Sequence, residues 1–125
     1  MDNGKKKILL IDDDETQHQI AENMLNAEYE VIKVKSGKDA LKYLYDGNFI
    51  PCLILLDILM PEMDGWEVFS RVKAVSLLKS VPIIFVTAVN ASTEEKRAFD
   101  IGAADFIKKP YDKEDLLSRI NKVIV

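Results

Sequence analysis

The sequence predicts an α/β fold, a doubly wound parallel sheet with helices on both of its faces. Three observations carry that prediction. Short, near-continuous apolar runs such as LILL (53–56) and IIFV (83–86) have the character of strands buried on both sides. Between such runs, apolar residues recur at three- and four-residue intervals, the spacing of an amphipathic helix. The two patterns alternate strictly along the chain, as parallel neighbours joined by crossover helices require.

The first strand falls at 8–11 and leads into a helix with Ile20, Met24 and Leu25 on one face, opened by Asp14 and Gln17 in a capping arrangement. A second strand at 31–34 precedes a helix carrying Ala40, Leu41 and Leu44. The third, 53–56, precedes one carrying Val68, Phe69, Val72 and Val75. After the fourth strand, 82–86, Ser92 with Glu95 opens a helix that includes Ala98 and Ile101, and Gly102 stops it. The fifth strand, 106–107, is followed by Asp112 with Asp115 as a cap and then Leu116, Leu117, Ile120, Val123 and Ile124 at helical spacing.

Composition bounds the function. The 125 residues are one domain's worth of chain, and 48% apolar with 30% charged residues is ordinary for a globular protein. No repeat or linker divides residues 1–125, no run is long enough to span a membrane, and the start lacks a leader's apolar core, so the cytoplasm is the expected compartment. A net charge of −4 argues against direct nucleic-acid binding. Cys52, the only cysteine, reads as a small core residue. His18, the only histidine, excludes a multi-histidine metal site and, among polar neighbours, reads as a solvated helix residue.

In such sheets ligands bind beyond the carboxyl ends of the strands. There the sequence places Asp12, Asp13 and Asp14, then Asp57, then Thr87, then Lys109 and Pro110. An acidic triplet before a helix is commonly a cap, and Thr87 or Lys109 alone is unremarkable. Asp57 differs, because a carboxylate closing the buried run LILL costs several kcal/mol, on the order expected for an unpaired buried charge, unless it has a partner. Carboxylates converging on one rim repel each other and stay ionised only beside positive charge. Lys109 offers one such charge, and a hard, oxygen-liganded cation such as Mg²⁺ fits the remainder.

The ordered set LLIDDD, LLDILMPEMDGWE, IIFVTA and FIKKP resembles the receiver domain of two-component response regulators over essentially the whole chain. The resemblance implies a flavodoxin-like, five-stranded sheet in the order 2-1-3-4-5. It makes Asp57 the phosphoacceptor, with Mg²⁺ held by Asp13 directly, Asp12 largely through water, Asp57 itself and the backbone carbonyl of Leu59. Thr87 is then the switch hydroxyl, Lys109 the phosphoryl partner, joined to Pro110 by a cis peptide, and Phe106 the aromatic switch residue, without the hydroxyl of the tyrosine often found there. It implies a signalling switch rather than an enzyme. The phosphoryl donor would be a sensor histidine kinase or a histidine phosphotransfer protein. The output partner or domain would meet helix 4, strand 5 and helix 5, and a phosphorylation-dependent homodimer is compatible with that surface. Apolar Leu59 and Val89 beside the phosphoryl site imply a comparatively long-lived acyl phosphate. The alternative is a pseudo-receiver that binds partners without phosphorylation. A flavin carrier is disfavoured because the loop DDDET would repel a phosphate, and an aspartyl-phosphate hydrolase because position 59 is leucine rather than an acid.

Overall fold

The computed structural model describes residues 4–47, 49–88 and 92–124, the side chain of Ser92 excepted. The elements alternate as β1 (Lys6–Ile11), α1 (Glu15–Leu25), β2 (Tyr29–Val34), α2 (Gly37–Tyr45), β3 (Leu53–Asp57), α3 (Gly65–Lys73), β4 (Ile83–Thr87), α4 (Ser92–Asp100), β5 (Asp105–Lys108) and α5 (Lys113–Val123). All pairings are parallel, in the order β2-β1-β3-β4-β5. The doubly wound, flavodoxin-like architecture expected from the sequence is the one observed.

Strand alternation divides the core in two. Ile8, Leu10, Leu53, Leu55, Ile84, Val86 and Ile107 pack against Ala21 and Leu25 of α1 and Leu116 and Ile120 of α5. Leu9, Ile11, Ile54, Leu56, Ile83, Phe85 and Phe106 face Leu41 and Leu44 of α2, Val68 and Val72 of α3, and Ala98 of α4. Because β3, β4 and the 8–11 part of β1 are covered on both sides, their side chains are buried whichever way they point, which is why these stretches read as near-continuous apolar runs.

The helix starts are fixed by caps. The Asp14 carboxylate accepts from the Thr16 N–H while its carbonyl accepts from the Gln17 N–H at 3.0 Å, and the Asp112 carboxylate accepts from the Asp115 N–H. Ser36 and Asp64 cap α2 and α3 in the same way. The expected Ser92 cap and the loop at 89–91, with Val89, lie outside the described residues. Gly102 takes φ +103° just after α4, a conformation that favours glycine and ends the helix. Cys52 is half-buried at the margin of the α1/α5 core.

One expectation is overturned. His18 is not solvated: it is 6% exposed, and its Nε2 lies 2.6 Å from the carbonyl oxygen of Asp12. Glu15, Thr16 and Gln19 are exposed, whereas residue 18, one turn beyond the Asp14 cap, faces the end of β1.

Candidate functional site

The ends of β1, β3, β4 and β5 each deliver one part of the site to the same rim. Asp12 follows β1 and is fully buried, and Asp13 beside it is exposed. Asp57 is the last residue of β3 and Thr87 the last of β4, both buried. Lys109 follows β5, where its N–H donates to the Thr87 carbonyl at 2.9 Å, and its bond to Pro110 is cis.

Carboxylate oxygens of Asp12, Asp13 and Asp57 lie within 4.8 Å of one another. The Lys109 Nζ enters from the side, 2.6 Å from Asp12 Oδ2 and 3.7 Å from Asp57 Oδ2. The Asp14 N–H donates to Asp12 Oδ1 at 2.9 Å, so both oxygens of Asp12 accept from the protein. Asp13 is thereby the member of the pair that faces solvent. Burial pushes the Asp57 carboxyl from 3.8 up to about 6; Lys109 pulls it back, while the charges of Asp12 and Asp13 add to the rise.

The turn after β3 is shaped by Gly65. Its N–H donates to the Ile58 carbonyl at 2.8 Å, and a Cβ there would sit 2.3 Å from the Asp57 carbonyl oxygen. Only glycine lets the first turn of α3 close this tightly on the strand end that carries Asp57. Leu59, in the same turn, is 63% exposed, so its side chain does not fill the acidic pocket. Phe106 is turned into the core beside Phe85, Ala98 and Ala103.

The residues fit a hard cation. Three carboxylates face one ammonium, which leaves uncompensated negative charge, and the cluster offers oxygen ligands with neither histidine nitrogen nor thiolate. Tyr111 adds a second sign of a missing polar group. Its hydroxyl is buried without a hydrogen-bond partner among the described residues, and burial together with the charges of Asp12 and Asp57 keeps it protonated. The structure places Asp12, Asp13, Asp57, Thr87 and Lys109, the residues singled out in the sequence, on one rim, and adds Gly65, His18 and Tyr111, which the sequence did not single out. Only Tyr111 carried a local signal, since it directly follows the lysine and proline at the fifth strand's end.

Acidic groups, a hydroxyl and a lysine gathered from four strand ends of a flavodoxin-like sheet define a class, the receiver domains of two-component signalling. This chain belongs to the response regulator receiver domain family, whose model matches residues 8–121. It is 39% identical over 119 residues to the transcriptional regulatory protein CrdR of Helicobacter pylori, covering 94% of this chain and 54% of CrdR. The chain spans about half the length of the first curated relatives it matches. Among solved structures it is similar to the chemotaxis protein CheY4 of Vibrio cholerae, with a TM-score of 0.85 at 29% identity over 96% of this chain and 99% of that one. It is also similar to the Mn(2+)-bound form of response regulator Rcp1, with a TM-score of 0.78 at 25% identity over 94% and 91% of the two chains.

Proposed function

We propose that residues 1–125 form one receiver domain that accepts a phosphoryl group on Asp57 from the phosphohistidine of a sensor histidine kinase or a histidine phosphotransfer protein. The carrying observation is the placement of Asp57: a rigid, buried strand end holds its carboxylate against two further carboxylates and 3.7 Å from the Lys109 ammonium. An Asp57 oxygen forms the new bond to phosphorus. The donor's N–P bond breaks, and its electron pair returns to the imidazole, leaving an acyl phosphate.

Asp13, Asp57 and the carbonyl of Leu59 would hold Mg²⁺, with Asp12 acting through water because its own oxygens already accept from Lys109 and Asp14. When bound, the cation neutralises charge on the phosphoryl oxygens. The Mn(2+)-bound Rcp1 supports a divalent ion for this arrangement. Lys109 supplies a second positive charge without moving far, and such fixed charges act where charge develops in the transfer. Thr87 is the hydroxyl that would donate to a phosphoryl oxygen. With Phe106 it would pass the change to the surface of α4, β5 and α5, where an output partner or a second copy binds. The chain is thus a switch that assists its own phosphorylation rather than an enzyme with a separate substrate.

Acetyl phosphate with Mg²⁺, followed by intact-mass analysis, tests the assignment. One phosphoryl group is expected on the native chain and none on Asp57→Asn. Equal incorporation in the two would move the acceptor elsewhere, and none in either would favour the phosphorylation-independent interaction module.

A further inference from the structure

The carbonyl of Asp12 lies one residue past β1, where the strand ladder has ended. Its N–H still completes that ladder, donating to the Val34 carbonyl at 3.2 Å. Its side chain closes a local turn by accepting from the Asp14 N–H at 2.9 Å. The carbonyl itself meets a side chain, the imidazole of His18, at 2.6 Å. A carbonyl only accepts, so Nε2 carries the proton and donates it. His18 reaches the carbonyl from within α1, whose start is fixed by Asp14: the Thr16 N–H donates to its carboxylate at 2.9 Å and the His18 N–H to its carbonyl at 3.2 Å.

This contact bears on Asp13. The Asp12 carbonyl and the Asp13 N–H belong to one planar peptide unit, so a donor that fixes the carbonyl direction fixes the plane from which the Asp13 Cα and its carboxylate project. Asp13 is exposed, and packing does not hold it in place. With little packing to place it, the reach of its carboxylate toward Asp57 depends on where the backbone sets its Cα.

We propose that His18 is a positioning residue for the acidic pair: the Nε2–H it donates to the Asp12 carbonyl orients the Asp12–Asp13 peptide, and so presents the Asp13 carboxylate to the divalent cation. The inference rests on the proposed function, since it assigns Asp13 as a cation ligand. A bulky apolar side chain would fill the same space against α1 without doing this. Partners that orient ligands typically change metal affinity by about 10–100-fold when removed.

Mg²⁺ affinity is measured by calorimetry, well below every melting temperature, for the native chain, Asp13→Ala, His18→Phe, His18→Gln and Tyr29→Phe. Phenylalanine keeps the ring's bulk and removes the donor; glutamine places an amide N–H where Nε2 stood. Tyr29→Phe removes a partly buried hydrogen bond to Asn121, 2.6 Å long and unrelated to the acidic turn, and controls for general destabilisation. His18→Phe is expected to bind Mg²⁺ about tenfold more weakly, His18→Gln to recover most of that loss, and Tyr29→Phe to bind as the native chain does. The amide resonances of Asp12 and Asp13 should shift in His18→Phe and return in His18→Gln. Native affinity in His18→Phe alongside lost affinity in Asp13→Ala overturns the positioning role alone. Equal weakening in His18→Phe and Tyr29→Phe overturns it too, since a purely structural effect suffices. If Asp13→Ala binds Mg²⁺ as tightly as the native chain, the cation assignment falls and this inference with it.

Discussion

Asp57 is held under electrostatic tension, and that tension has a measurable sign. Its carboxyl is raised from 3.8 to about 6, chiefly by burial, so the folded state holds this proton more tightly than the unfolded chain does. The stabilising effect of protonation is therefore fully present below about pH 4 and is lost as pH rises through 6. A rise of that size corresponds to at most about 3 kcal/mol, and water at the open rim screens part of it. With divalent cations chelated, Asp57→Asn is expected to be more stable than the native chain by about 1 to 3 kcal/mol at pH 8. That advantage should shrink through pH 6 and vanish below pH 4, as read by urea denaturation at three pH values. A gain independent of pH would mean that asparagine improves packing rather than relieving a charge. At this scale the sequence was legible where a polar residue closes an apolar run. Asp57, Thr87 and Lys109 each lie at the carboxyl end of a strand, so the ends of the apolar runs pointed to them. His18 escaped because its partner is a main-chain carbonyl, and no pattern of side chains announces a backbone acceptor.

At the scale of elements, the central strands were legible and the edge strands only in part. β3, β4 and the 8–11 part of β1 are buried on both faces and read as near-continuous runs. β2 lies at an edge and begins with Tyr29 and Glu30, alternating buried and half-buried residues, so an apolar run alone located only its later part. β5 is bounded by Asp105 and Lys108 and was likewise found short. The joint between β3 and α3 leads to a prediction in which local and tertiary terms oppose each other. On helix propensity, replacing Gly65 by alanine in the first turn of α3 should stabilise by up to about 1 kcal/mol. The structure reverses the sign, because the new Cβ would lie 2.3 Å from the Asp57 carbonyl oxygen and 2.8 Å from the Ile58 Cα, both main-chain atoms that cannot swing aside. Gly65→Ala is expected to lose about 1 to 3 kcal/mol, the range for overpacking, in chemical denaturation. Gly47→Ala would not serve as a neutral control, since Gly47 has φ +72° and alanine there is strained for a different reason.

For the whole molecule, parallel strands put every carboxyl end on one rim, so Asp12 and Lys109, 97 residues apart in sequence, meet in a buried ion pair. One consequence is that the fold gathers like charge where it would hold its ligand, so stability and cation binding are linked. A cation that binds only the folded chain, at a hundred times its dissociation constant, stabilises it by about 2.7 kcal/mol. For a domain of this size that is a rise in melting temperature on the order of 10 °C. Asp13→Ala separates the two halves of the linkage. Without Mg²⁺ the variant should melt at or above the native temperature, because one of three crowded carboxylates has gone while the Asp12–Lys109 pair remains. With saturating Mg²⁺ the native chain should overtake it, and the melting curves of the two proteins should cross as the cation is titrated in. Scanning calorimetry at a series of Mg²⁺ concentrations, with ionic strength held constant so that simple screening is the same throughout, reads this directly. A variant that melts well below the native chain without Mg²⁺ would show that Asp13 supports the β1–α1 turn itself, and parallel rises in both proteins would place the cation at some other acidic group.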